Sequence, residues 1–281
     1  MKREFGFSVL VLFLLTVSCA TTNQNKEGVA SVSRGISIMV DASTMNQSTI
    51  GADDFPVANN KAVAELAAGT AKAVLESKGM TVAGTPQTSI GARTIPYEKS
   101  KSAFRASSGS YNLINPDGTK TETSEIVQPP FAATPELDEN GRKQLNELYH
   151  KLVRQYAVDP SSSFVFYHRP PAPPTVIDPA LLANVQGDGV LIVICEGRSP
   201  SAGSRAAAAG SALIVVVAAV GNKDAKFEGE FRTQSRAEIY LIKRSTGTVL
   251  WHDEAEGHDL TPTFFAETVK KMLEKLPKAD N

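Results

Sequence analysis

Apolar residues fall along this chain in a few separated runs, and the spacing inside each run names its element. Ile36 to Val40 (ISIMV) is a short β-rich run ending at Asp41, the pattern of a buried strand. Val63, Leu66, Ala67, Thr70 and Val74 then recur at three and four, which predicts a helix capped by Asn59 or Asn60 and ended by Gly79. Met80 to Ala83 predicts a second strand. Together these make one β-α-β unit, with a right-handed crossover expected if its strands are parallel.

From Gly84 to Thr134 the pattern is lost. Residues 84–134 are rich in Ser, Thr, Gly and Lys and predict a polar surface insertion, with a hairpin around Asn115 to Thr119 (NPDGT). Thr134-Pro135-Glu136 reads as a cap with proline at the first helical position, and Leu145, Leu148, Leu152 and Tyr156 share a helical face after it. His168 to Pro179 (HRPPAPPTVIDP) predicts a stiff polyproline-like connector. Asp178-Pro179 then opens a short helix, Ala180 to Val185, which Gly187 ends.

Two continuous apolar runs follow, Gly189 to Gly197 (GVLIVICEG) and Ser211 to Gly221 (SALIVVVAAVG), both read as buried strands. The last third alternates. Ala237, Ile239 and Leu241 oppose Arg236, Glu238 and Tyr240, and the turn at Ser245-Thr246-Gly247 predicts a hairpin in which Val249 and Trp251 continue the apolar side. Thr261-Pro262 starts a final helix with Phe265, Val269, Met272 and Leu276 on one face and Pro277 as its stop. The fold class expected is α/β (α+β): a mixed central sheet with a β-α-β start, a long carboxy-terminal hairpin and packed helices.

The amino terminus supplies an address. Lys2 and Arg3 precede an apolar run, Phe7 to Leu15, and small residues Ser18 and Ala20 flank Cys19. This is the layout of a secretory signal peptide, and the run is short of the about 20 residues a spanning helix needs. The cysteine at the cleavage point resembles a bacterial lipoprotein signal, although Thr16 stands where the usual lipobox has leucine. That resemblance implies lipidation of Cys19, a palmitate-bearing membrane anchor, and residence at the periplasmic face of the outer membrane, with surface exposure as the alternative. The expected organisation is residues 1–18 as signal peptide, 19–33 as a lipidated flexible tether, and 34–281 as a single domain carrying the 84–134 insertion and the 168–179 connector.

Composition removes some functions. Without residues 1–18 the chain has 27 basic and 29 acidic side chains, so no nucleic-acid footprint is expected. Cys195, the second of two cysteines, lies in an apolar run and reads as a small buried hydrophobe, leaving no disulfide framework or CxxC metal site. Gly197 to Arg205 (GRSPSAGSR) lacks the lysine and spacing of a phosphate loop, and its Gly-x-Ser lacks the nucleophile-elbow pattern. His150 and His168 stand alone, so no Ser-His-Asp set assembles.

The densest cluster of potential ligands is WHDEAEGHD, where alternation sets His252, Glu254, Glu256 and His258 on one strand face. Imidazole and carboxylate together can hold zinc. Neighbours on one straight strand face lie about 6.5–7 Å apart, which suits a solvated face better. Ala206 to Gly221 has no charge over sixteen residues and is read as a buried strand; as a membrane-crossing strand it lacks the polar alternation of a barrel.

Three stretches carry a family resemblance: ISIMV with its helix into GMTV, the passage LLANVQGDGVLIVICEG, and AEIYLIKRSTGTVLWHDEAEG. They resemble the small α/β domain of the Tol translocation protein's amino-terminal domain and the curli-secretion-channel lipoprotein group. The resemblance implies a non-catalytic, lipid-anchored envelope protein that acts as scaffold, assembly factor or secretion accessory, with no cofactor. Its partners would be the membrane, through the anchor, and another envelope protein or itself. Tyr111 and Asn115 in the insertion are the candidate contact residues. The alternative is an envelope hydrolase or metal-dependent enzyme with its site near residues 252–258.

Overall fold

The spine of the sheet is β1, Ile36–Gln47. One of its edges pairs in parallel with β7, Gly189–Pro200, along the whole length from Ile36↔Gly189 to Gln47↔Pro200. Its other edge is shared: Met39 to Ala42 pair in parallel with β3 (Gln87–Ile90), and Asn46 pairs antiparallel with β2 (Asp53–Pro56). Thr44 lies in the gap between them. There Asn60, one turn into helix α2 (Val57–Ser77), takes the place of a strand: its Oδ1 accepts from Thr44 N at 2.7 Å and its Nδ2 donates to Thr44 O at 2.9 Å.

The computed structural model describes residues 26–47, 53–92, 111–122, 129–152, 173–200 and 233–278. Within these, β7 continues antiparallel to β8 (Gln234–Lys243), and β8 to β9 (Thr248–Gly257). On the far side, β2 pairs with β4 (Tyr111–Ile114), β4 with β5 (Lys120–Glu122), and β3 with β6 (Ala132–Thr134). The α/β expectation is met: the described residues form a mixed sheet of nine strands with helices on both faces.

Alternation along the strands divides the core in two. Ile38, Val40, Leu191, Val193, Ile239 and Leu241 face α2, α1 (Lys26–Val32) and α4 (Pro262–Glu274). Ala64, Ala67, Ala68 and Ala71 form the buried stripe of α2, and residues that small let helix and sheet approach closely. Met39, Ile192, Ile194, Tyr240 and Ile242 face Leu145, Leu148, Tyr149 and Leu152 of α3 (Glu139–Leu152). As expected, Thr261 caps α4 by accepting from Phe264 N, with Pro262 in the first turn, and Phe265, Val269, Met272 and Leu276 are buried.

Several sequence expectations are corrected. The span 19–33 is not all tether, because residues 26–32 form α1 and its Val29 and Val32 are fully buried; two apolar residues three apart were too weak a pattern to show it. Neither Asn59 nor Asn60 caps α2, whose N-cap is Pro56 without a side-chain bond. Met80 to Ala83 is not a strand but a single bridge, Val82 to Ile36, and the strand after α2 that pairs in parallel with β1 is β3. Residues 84–134 are therefore no mere surface insertion: they supply β3 to β6, and the β4–β5 hairpin turns at Asn115 to Thr119 as expected, with Gly118 at φ 81°. Thr134 lies in β6, and α3 begins at Glu139 after Asp138, whose Oδ1 accepts from Gly141 N. The end of the connector is tied down, Ile177 N donating to Gly247 O and Val176 bridging Thr248, before the 3-10 turn Pro179–Leu182. Val249 does not share the face of Trp251, because β9 bulges at Leu250 between them. Cys19, Tyr156 and the run Ser211 to Gly221 lie outside the described residues. No described helix is long and apolar enough to cross a membrane.

Candidate functional site

Trp251 is in the core, 1% exposed and opposite Leu241, yet one step nearer the turn Val249 pairs with Ile242. The residue skipped is Leu250. This one-residue bulge reverses which face each later β9 residue occupies. Without it His252 would lie beside Ile239 and point at α2 and α4. With it, His252 lies beside Tyr240 and Glu254 beside Glu238, on the face covered by α3.

The result is a buried polar cluster built by two strands. Arg236 Nη2 lies 3.0 Å from Glu238 Oε1 and 2.7 Å from Glu254 Oε2. The Tyr240 hydroxyl sits 2.5 Å from Glu238 Oε2 and 3.2 Å from the carbonyl oxygen of Leu152, so its single proton has two acceptors in reach. The His252 ring is tilted over Tyr240 at 4.6 Å, and its Nε2, inaccessible to solvent and without a hydrogen-bond partner, is 3.7 Å from Glu238 Oε2. Arg236 and Glu238 are almost wholly buried, and burial of such charges is tolerable only when they are paired.

Of the ligand candidates read from the sequence, the fold thus brings His252 and Glu254 together and leaves the other two outside. Glu256 is exposed at the end of β9 opposite Arg236, and His258, beyond the strand and also exposed, has Nδ1 3.0 Å from Thr233 O. Glu238 was missed. Glu238, His252 and Glu254 each offer one ligand atom, all within 4.8 Å of one another. The signal was available in the hairpin turn, which pairs β8 with β9, but the bulge that decides the face has no marker in the sequence. Tyr111 opens β4 beside Asp53, and the Asn115 side chain donates to Thr119 and Thr121 hydroxyls within the hairpin turn.

A second buried acid lies midway along β1, where β3 ends beside it. Asp41 is fully buried and accepts from Ser43 Oγ at 2.8 Å, Ser89 Oγ at 2.8 Å and Ala92 N at 3.0 Å, which fastens the end of β3 to β1. Burial, and then the Asp41 charge, hold the Tyr149 phenol well above its ordinary range. The same two causes push the Cys195 thiol up. Cys195 is fully buried and its thiol stays protonated at neutral pH, so it packs rather than attacks.

No protein family, curated protein or solved structure matches this chain.

Proposed function

We propose that this chain is a lipid-anchored cell-envelope protein that works by binding another envelope protein or a second copy of itself. The observation that carries the reading is the outer edge of β9. Among the described residues β9 ends the sheet, and beyond the contacts at its first two residues, Thr248 and Val249, no strand pairs with it. An open edge presents backbone donors and acceptors that an added strand can take. The resemblance to Tol-type and curli-secretion lipoprotein domains and the lipobox-like Cys19 support the same reading.

In-cell photocrosslinking from Glu256, on the β9 edge, and from Tyr111 and Asn115 tests it. A discrete crosslinked protein or a homo-oligomer from one of these positions is expected. Tritiated palmitate should label the wild type and not Cys19→Ser, and the variant should leave the membrane fraction. Monomer alone by crosslinking and sedimentation, together with turnover of a cell-wall or ester substrate abolished by His252→Ala or His258→Ala, would replace binding with catalysis.

A further inference from the structure

We propose that Glu238, His252 and Glu254 bind one zinc ion. The inference goes beyond partner binding and does not depend on it. Imidazole nitrogen with carboxylate oxygens is a donor set that zinc accepts. The three ligand atoms already lie within 4.8 Å of one another. Zinc bonds of about 2.0–2.2 Å place tetrahedral ligands roughly 3.3–3.6 Å apart, so closing the site takes side-chain rotation of about 1 Å.

Three details fit an ion here. The His252 Nε2 is buried and lacks a hydrogen-bond partner while aimed at Glu238, and a buried nitrogen in that state needs an explanation that a metal bond supplies. Arg236 holds one oxygen of each acid, Oε1 of Glu238 and Oε2 of Glu254, so the opposite oxygens are the ones to turn toward the ion. Tyr240 meets Glu238 Oε2 now, but the Leu152 carbonyl gives its proton another acceptor when that oxygen ligates. Arg236 and Tyr240 then orient the ligating carboxylates from behind, as outer partners do in metal sites.

Charge and access agree. Arg236, Glu238 and Glu254 together carry one excess negative charge, which attracts a cation. The His252 and Glu254 side chains are 15% and 29% exposed, on the edge strand of the described sheet, so an ion can enter there. Three protein ligands leave a fourth position for water, the arrangement of zinc sites that act on substrates rather than merely fasten a fold.

The test is equilibrium dialysis of the untagged full chain against zinc, with cobalt(II) absorption as a readout of coordination. One zinc per chain is expected, with cobalt bands of four-coordinate intensity. His252→Ala and Glu254→Gln should each weaken binding by about tenfold or more, since even outer-partner changes at metal sites cost that much. Glu256→Gln and His258→Ala should leave affinity unchanged. Glu238→Gln sits in the buried network and can unfold the chain, so Glu254→Gln on the more exposed side carries the test, with a melt confirming its fold. Absence of stoichiometric zinc in the folded wild type, unchanged affinity in His252→Ala and Glu254→Gln, or equal loss in His258→Ala would overturn the site.

Discussion

Replacing Arg236 by Met tests whether the buried cluster is held by one guanidinium. The side chain is 6% exposed and reaches Glu238, 2% exposed, at 3.0 Å and Glu254 at 2.7 Å. Met keeps much of the volume but leaves the Glu238 carboxylate in the core without that positive partner. Removing one member of a buried pair costs about 3–5 kcal/mol, and Glu254, more exposed, regains water and adds little. With a urea m-value of about 2–3 kcal/mol/M, the midpoint should fall by about 1–2.5 M at unchanged m. Adding Glu238→Gln removes the stranded charge, and the amide still accepts from Tyr240. The double variant should therefore be more stable than Arg236→Met alone, with a coupling of about 2 kcal/mol between the two sites. The measurement is urea unfolding by circular dichroism, in chelator so that no metal contributes. A midpoint for Arg236→Met close to that of the wild type, or strictly additive effects in the double variant, would refute the argument that this pairing holds the cluster.

Trp251→Ala should cost about 3–5 kcal/mol, because its ring is buried against Leu241 and the helices behind it; a melt without loss would reject the bulged register. Asn60→Leu leaves the buried Thr44 N–H and C=O without the carboxamide that serves them, and at about 1–3 kcal/mol per orphaned group it should lower stability by roughly 2–6 kcal/mol, read from the urea midpoint. Cys195 should resist thiol reagents in the folded chain and react on unfolding. Its folded thiol is raised above the unfolded value of 9.0, so its contribution is whole below that pH and is lost as pH rises through and beyond it; Cys195→Ala should flatten the alkaline fall of the melting temperature.

Elements whose pattern is local were legible in the residues alone. The α4 cap at Thr261-Pro262, the Thr-Gly hairpin turn, the long apolar run of β7 and the turn at Asn115 to Thr119 each follow from side chains a few positions apart. So did the burial of Trp251 and Cys195, which sit in patterns that admit one face or none to water. Tertiary structure decided the rest, because the deciding partner is far along the chain. Gln87–Ile90 is a strand only because β1 offers it an edge, and its Thr and Ser would read as loop anywhere else. Lys26–Val32 is helical only because Val29 and Val32 find the core beside β8 and β9. In the candidate site the residue types of His252 and Glu254 were visible, but their company was not. Skipping Leu250 turns the rest of β9 by one side-chain step, so that Leu250 and Trp251 both pack on the α2 and α4 face while Val249 packs on the other, and whether His252 meets Glu238 or those helices depends on that single backbone choice.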